Sequence, residues 1–190
     1  MLPIHLAYGN FMRRDFGTSA NGSPTLTNYQ DITPAGAKWV EPGNFSPDGH
    51  HLLLSSDIGL SDAEGQDQWV LDTNTGQLQN LTNSPNVWDE HGFYSPGGSK
   101  IVFMSSYPYR YDPTSCKTAS LRTEFMLMDA DGGHLQQLTH FNVWGYPESQ
   151  IWAVAAIAWF ISPTQLYGIL MGPEFTGSSW IITFAGACGA

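Results

Sequence analysis

A repeat with a constant step of 49 residues constrains this chain more than any other feature of its sequence. Residues 39–49 (WVEPGNFSPDG) have an ungapped counterpart in residues 88–98 (WDEHGFYSPGG). The Trp, the Glu, both Gly positions and the Ser-Pro pair all keep the same spacing. A fixed period of this length marks modules that stack on their neighbours, so the chain is predicted to be an array of such modules.

A second matched block extends each module. Residues 69–82 (WVLDTNTGQLQNLT) match residues 126–139 (MLMDADGGHLQQLT) at a distance of 57, so the second module has an insertion of eight residues. The insertion falls within residues 107–123, where Tyr-Pro-Tyr-Arg-Tyr-Asp-Pro predicts a loop. A third module begins at residue 141, but its Ser-Pro pair at 162–163 lacks the following turn glycine.

Each full module is predicted to contain four short strands. The apolar run 51–56 has the length and the flanking turns of a buried strand, and Ser-Pro-Asp-Gly before it favours a tight turn. No segment of the two modules has a sustained helical period. The predicted strands are 39–45, 51–56, 68–72 and 77–81 in the first module, and 92–94, 100–104, 124–129 and 134–138 in the second.

Four strands in a unit of about 45–55 residues are typical of a β-propeller blade, which needs a neighbour on each face. The predicted fold class is therefore all-β: a β-propeller fragment of two full four-stranded antiparallel blades with incomplete flanking blades. The predicted organisation is an N-terminal segment without a defined element (1–24), an outer strand of a preceding blade (25–33), one blade (34–83), a second blade with the inserted loop 107–123 (84–140), and an incomplete blade (141–190).

The repeat resembles that of TolB-like, WD-repeat-like propellers. Ser-Pro-Asp-Gly, an apolar strand, a strand closing on Asp-x-x-x-Gly and a final Leu-Thr carry the resemblance, which covers about residues 26–171. It implies a bacterial scaffold, periplasmic or otherwise extracytoplasmic, that binds proteins or peptides at the mouth of its channel. No signal peptide is recognisable in the first residues, where Arg13 and Arg14 follow a mixed stretch.

Charge and motifs narrow the function. The formal charge of −10 and the scattered basic residues exclude nucleic acid as a partner. The apolar segment 151–161 is too short to cross a bilayer as a helix, so no membrane insertion is predicted. The sequence has no Gly-x-Ser-x-Gly elbow, His-Glu-x-x-His or phosphate-binding loop. No cofactor is therefore predicted, and a non-catalytic protein is favoured over an enzyme.

Three groups of residues are candidate sites. Asp89, Glu90 and His91 lie at the predicted channel end of a blade, and two carboxylates with an imidazole could hold a divalent metal or act as acid and base. Glu90, however, has the same module position as Glu41, which favours a structural role for both. Asp57, Asp62 and Asp67 could supply oxygen ligands to calcium, although the full calcium-loop pattern is absent.

The third candidate site is the aromatic part of the inserted loop: Tyr107, Tyr109, Arg110 and Tyr111. Tyr and Arg dominate binding hot spots, but the rings could also fold back onto the blade. The predicted function is a non-catalytic propeller scaffold for a protein or peptide. Two alternatives stay open: a metal-assisted sugar-acid lyase or hydrolase built on a propeller, and the propeller part of a longer peptidase.

Overall fold

The part of the chain that the structure describes forms four successive antiparallel sheets. The computed structural model describes residues 11–60, 65–115, 117, 120–150, 152–172 and 176–184. Within these ranges there is no α-helix, a 3-10 turn lies at Tyr107–Tyr109, and no helix is long and apolar enough to cross a membrane. The predicted all-β fold class is confirmed.

The sheets follow one another in chain order. The hairpin consists of β1 (Met12–Thr18) and β2 (Pro24–Asp31). The first blade consists of β3 (Val40–Phe45), β4 (His51–Ser56), β5 (Asp67–Asp72) and β6 (Leu78–Asn80), and the second blade of β7 (Asp89–Tyr94), β8 (Lys100–Ser105), β9 (Glu124–Asp129) and β10 (Gln136–Gln137). The third sheet consists of β11 (Val154–Ser162), β12 (Gln165–Met171) and β13 (Gly177–Thr183).

The Ser-Pro turns join the first two strands of each blade. Gly49 has φ 75° and its N–H donates to the carbonyl of Ser46, while the Ser46 hydroxyl accepts from the N–H of His51. Ser95 and Gly98 repeat this arrangement in the second blade. The positive φ explains the glycine at the end of each turn. The third sheet instead closes this turn with two residues, since Ser162 pairs directly with Gln165.

The blades pack face to face because alternate side chains of each strand point to opposite sides of the sheet. Leu53 of the first blade packs against Ile101 and Phe103 of the second. Val102, between them in sequence, points the other way and belongs with Phe125 to the core shared with the third sheet. The hairpin covers part of the remaining face of the first blade.

The first strands of the three larger sheets lie side by side, β3 against β7 and β7 against β11. A Cβ atom built on Gly43 would lie 2.2 Å from the carbonyl oxygen of Gly92, so the two backbones meet without an intervening side chain. Each of these strands also has an irregular register, between Pro42 and Phe45 in β3 and between Glu90 and Phe93 in β7. Such bulges redirect side chains at the point where the sheets converge.

The strand positions agree closely with the sequence-based predictions in the two blades. Strands β4 and β9 have the predicted bounds, whereas β10 is shorter than the predicted strand 134–138. The strand expected in 25–33 is β2, and it pairs with β1, which lies in the segment 1–24 for which the sequence defined no element.

Candidate functional site

Three ionisable side chains meet where the first strands converge. Glu41 lies in β3, and Glu90 and His91 lie in β7. His91 Nε2 is 3.1 Å from Glu41 Oε1, and one ligand atom from each of the three residues lies within 4.8 Å of the others. Among the residues that the structure describes, this is the only group of three His, Cys, Asp or Glu side chains that could share a metal ion.

The backbone and the ring of His91 are both fixed by neighbouring sheets. His91 has φ 56°, and its N–H donates to the hydroxyl of Ser55, which also accepts from the side-chain amide of Gln68. His91 Nδ1 lies 2.6 Å from the carbonyl oxygen of Ala156 in β11. A carbonyl can only accept, so Nδ1 carries a proton and Nε2 is the atom turned towards the carboxylates.

Burial and mutual contacts set the charges of this group. Burial raises the pKa of Glu90, which is only 7% exposed and accepts a hydrogen bond from Trp88 Nε1. The hydrogen bond from His91 lowers the pKa of Glu41. Burial lowers the pKa of His91, but the hydrogen bond to Glu41 and the charges of both glutamates outweigh it and leave that pKa raised. The site therefore favours an ionised Glu41 paired with a protonated His91.

The chemistry of the group suits a divalent metal of the first transition row. Imidazole nitrogen and carboxylate oxygens are ligands that such ions accept. A metal-bound histidine commonly donates its other ring N–H to a carbonyl, and His91 does this with Ala156. The same three groups without a metal form a proton-sharing cluster. The sequence predicted Asp89, Glu90 and His91 as candidates but gave Glu41 only a structural role, although the 49-residue step places it at the position of Glu90. In the structure the Asp89 carboxylate accepts from the hydroxyls of Ser84 and Ser105 and is not part of this group.

The candidate calcium ligands are placed in separate surroundings. Asp57 is buried, and its Oδ1 accepts from the backbone N–H groups of Lys38 and Trp39, both at 2.9 Å. Asp67 is buried at the start of β5 and accepts from Asn80, Thr82 and Ser84. These contacts give each carboxylate a role in joining strands. Asp62 lies outside the described residues.

The aromatic residues of the inserted loop divide into one anchor and an exposed stack. Arg110 Cζ lies 4.2 Å from the ring centre of Tyr107 and 4.5 Å from that of Tyr111, and Tyr111 is 86% exposed. Tyr109 points inward, and its hydroxyl donates to Glu124 Oε1 at 2.5 Å. Burial, followed by this hydrogen bond, raises the pKa of Tyr109. Of the four loop residues predicted for binding, Arg110 and Tyr111 are thus exposed, Tyr107 is half-buried, and Tyr109 is the anchor.

No protein-family model matches the sequence, and no curated protein matches it. Solved propeller structures are similar in fold. TolB from Acinetobacter baumannii is 16% identical with a TM-score of 0.46, over 92% of this chain and 41% of that one. An oligogalacturonate lyase in complex with manganese is 14% identical with a TM-score of 0.34, over 90% of this chain and 57% of that one. A puromycin hydrolase is 15% identical with a TM-score of 0.39, over 85% of this chain and 30% of that one.

The chain aligns with TolB and related propeller proteins over most of its own length. It spans less than two thirds of the length of each of these structures.

Proposed function

We propose that the chain is a non-catalytic propeller scaffold that binds a protein or peptide partner through its inserted loop. The observation that carries the proposal is the stack of Arg110 between Tyr107 and Tyr111 on the surface of the second blade. Large rigid side chains of these types supply most of the energy at protein interfaces.

Residues 107–112 of the loop are held in place by contacts within the chain. The Arg110 guanidinium donates to the carbonyl of Tyr107 and to the hydroxyl of Tyr111, and Tyr109 fastens the loop to the buried Glu124. A pre-ordered loop loses little conformational entropy when a partner binds. Arg122 forms an ion pair with Asp112, whereas Arg110 is an exposed cation that can meet a partner's carboxylate or aromatic ring.

The test is a selection of peptides from a random display library on the immobilised full chain. We expect peptides whose affinity falls at least about tenfold when Arg110 and Tyr111 are both replaced by Ala. The matched control is Arg14→Ala with Tyr29→Ala, because Arg14 lies over the exposed ring of Tyr29 at 4.0 Å on the hairpin. Equal loss from both pairs, or selected peptides that ignore Arg110 and Tyr111, would contradict the proposal.

A second candidate function is binding of a divalent metal ion at Glu41, Glu90 and His91. The specific observation in its favour is the carbonyl of Ala156 on His91 Nδ1, which leaves Nε2 facing both carboxylates. A metal here is also the first requirement of the alternative lyase or hydrolase. The group places two carboxylates and an imidazole around one point but does not identify a substrate.

Isothermal titration with Mn²⁺ and with Zn²⁺ tests this candidate. We expect one binding site per chain that disappears in His91→Ala and in Glu41→Gln. His134→Ala is the control, since His134 is an exposed histidine that pairs with Asp129 away from this group. Binding that survives in His91→Ala but is lost in His134→Ala would assign the metal elsewhere.

A further inference from the structure

A cleft of about 470 Å³ lies between the first and second blades, at the end where the Ser-Pro turns close. The first blade contributes its turn and the cross-strand pair of Val70 and Gln79. The second blade contributes residues 97–98 and 130–131, which belong to two of its turns. The inserted loop follows the other end of β8, so this cleft is separate from the surface that the proposed function uses.

Small residues leave the cleft open. Gly97 stands at the repeat position of Asp48, so the second turn adds no side chain there. A Cβ atom built on Gly98 would lie 3.0 Å from Pro47 Cδ, so the two turns are in contact at one margin of the cleft. The volume beside this contact falls within the range of small-molecule sites, which is about 300–1,000 Å³.

The hydroxyl of Tyr94 is a buried polar group that the fold does not use. Tyr94 lines the cleft and is 7% exposed, and its hydroxyl has no hydrogen-bond partner among the described residues. Burial, followed by the charge of Asp48, raises the pKa of Tyr94 to about 12, so the hydroxyl keeps its proton at neutral pH. Buried hydroxyls nearly always have a partner. The first blade has Phe45 at this repeat position, so packing does not require the hydroxyl.

The other polar groups make the cleft negatively charged. Asp48 and Asp131 line it from the two blades, and the lining includes His51 but no Lys or Arg. Hydrogen bonds from the Ser46 hydroxyl and the N–H of His50 hold the pKa of Asp48 below its usual value, so this carboxylate is ionised at neutral pH. Both bonds use Oδ1, and Asp131 likewise accepts through Oδ1. The second oxygen of each carboxylate is therefore available to a ligand.

We propose that this cleft binds an alkylammonium group between Asp48 and Asp131, with the Tyr94 hydroxyl as a further acceptor. An ammonium has three N–H donors and no acceptor, which suits two carboxylates and a hydroxyl oxygen. Val70 and Ala130 line the same cleft and suit the methylene chain that carries the charge. Two sources supply this group: a free diamine, and a lysine side chain of another protein. The inference does not depend on the proposed function.

NMR titration of the ¹⁵N-labelled full chain tests the proposal with three probes: diaminobutane, a blocked tripeptide with a central lysine, and the neutral butanediol. We expect the amide signals of Gly97, Gly98 and Asp131 to shift saturably with an ammonium probe, with a Kd below about 1 mM, and not with butanediol. Tighter binding of the tripeptide would support a lysine ligand, and tighter binding of diaminobutane a free amine. Signals that respond to neither ammonium probe, or equally to butanediol, would overturn the proposal.

Two conservative variants locate the bound group. Tyr94→Phe removes only the hydroxyl, and Phe45 shows that a repeat module accommodates this ring. We expect it to weaken binding about tenfold, as for loss of a hydrogen bond to a charged group, and Asp131→Asn to weaken binding by at least as much. Tyr29→Phe and Asp15→Asn are the matched controls, because both residues are exposed on the hairpin. Unchanged affinity in Tyr94→Phe and Asp131→Asn would place the ammonium elsewhere and overturn the assignment.

Discussion

The Nδ1 atom of His91 lies 2.6 Å from the carbonyl oxygen of Ala156, so an imidazole of the second blade is held by the third sheet. On its other side, Nε2 reaches Glu41 of the first blade. One side chain thereby links three consecutive sheets at the place where their first strands meet. Its protonation state must then affect how firmly the three sheets are joined.

Stability should fall as the pH rises through the raised pKa of His91. Burial lowers this pKa, but Glu41 and Glu90 raise it more, so the folded chain holds the proton more tightly than the unfolded chain does. The stabilisation is complete below the unfolded value of about 6.5 and is lost above the folded one. Urea unfolding at a series of pH values should show this loss in the wild type and not in His91→Gln. If the free energy of unfolding depends on pH in the same way in both proteins, His91 is not the group responsible.

Because of Asp89, the free energy of unfolding should fall as the pH rises from about 4 to about 7. Its carboxylate accepts from the hydroxyls of Ser84 and Ser105, yet burial raises its pKa to about 7. Over this window the folded chain keeps a proton that the unfolded chain has lost, so the free energy of unfolding falls by up to about 1.4 kcal/mol per pH unit.

The variant Asp89→Asn should remove that slope, because an amide does not titrate. Asp131→Asn, which alters an exposed aspartate in a turn, should leave the slope in place. Chemical denaturation of the three proteins at the two ends of the window measures the difference. A slope that persists in Asp89→Asn would assign it to another group.

Gly43→Ala should destabilise the chain by about 1–3 kcal/mol, as expected for overpacking against atoms that cannot move aside. The new methyl group would lie 2.2 Å from the backbone oxygen of Gly92. Gly177→Ala is the comparison, because nothing lies within 4 Å of the methyl group that it would add. Thermal unfolding should rank Gly43→Ala as the more damaging change, and the reverse order would refute this account.

Glu124→Ala should cost more than about 3 kcal/mol, because several buried donors would lose their acceptor at once. The carboxylate of Glu124 is fully buried and accepts from the Thr139 hydroxyl, the N–H groups of Phe141 and Asn142, and the Tyr109 hydroxyl. Tyr109→Phe removes one of these donors and should cost far less. Urea midpoints that are similar for the two variants would contradict this prediction.

Much of the fold follows from local sequence. Turn chemistry at the Ser-Pro-Asp-Gly segment and the apolar run after it were enough to predict β4 at its observed bounds. Strand β1 was not predicted, because MRRDFGT has no apolar alternation and almost all of the strand is exposed. Its pairing with β2 is set by contacts along the hairpin that a local pattern does not reveal.

The candidate site was only half predictable. His91 stands out because the other module has Pro42 at its position, and Glu90 is its neighbour. Glu41 joins them only because β3 and β7 lie side by side, which depends on how the blades stack. The contact with Ala156 could not be predicted from the sequence, because it is made by a backbone carbonyl and every type of residue has one.

The contact between Gly43 and Gly92 also bears on curvature. There the two blades are separated by backbone alone, whereas farther out Leu53 and Phe103 fill the space between them. Each module is therefore a wedge, thin on the inside and thick on the outside. In a closed propeller the angle of such a wedge determines the number of modules, so the missing side chain at Gly43 restricts the ring sizes that this module would suit.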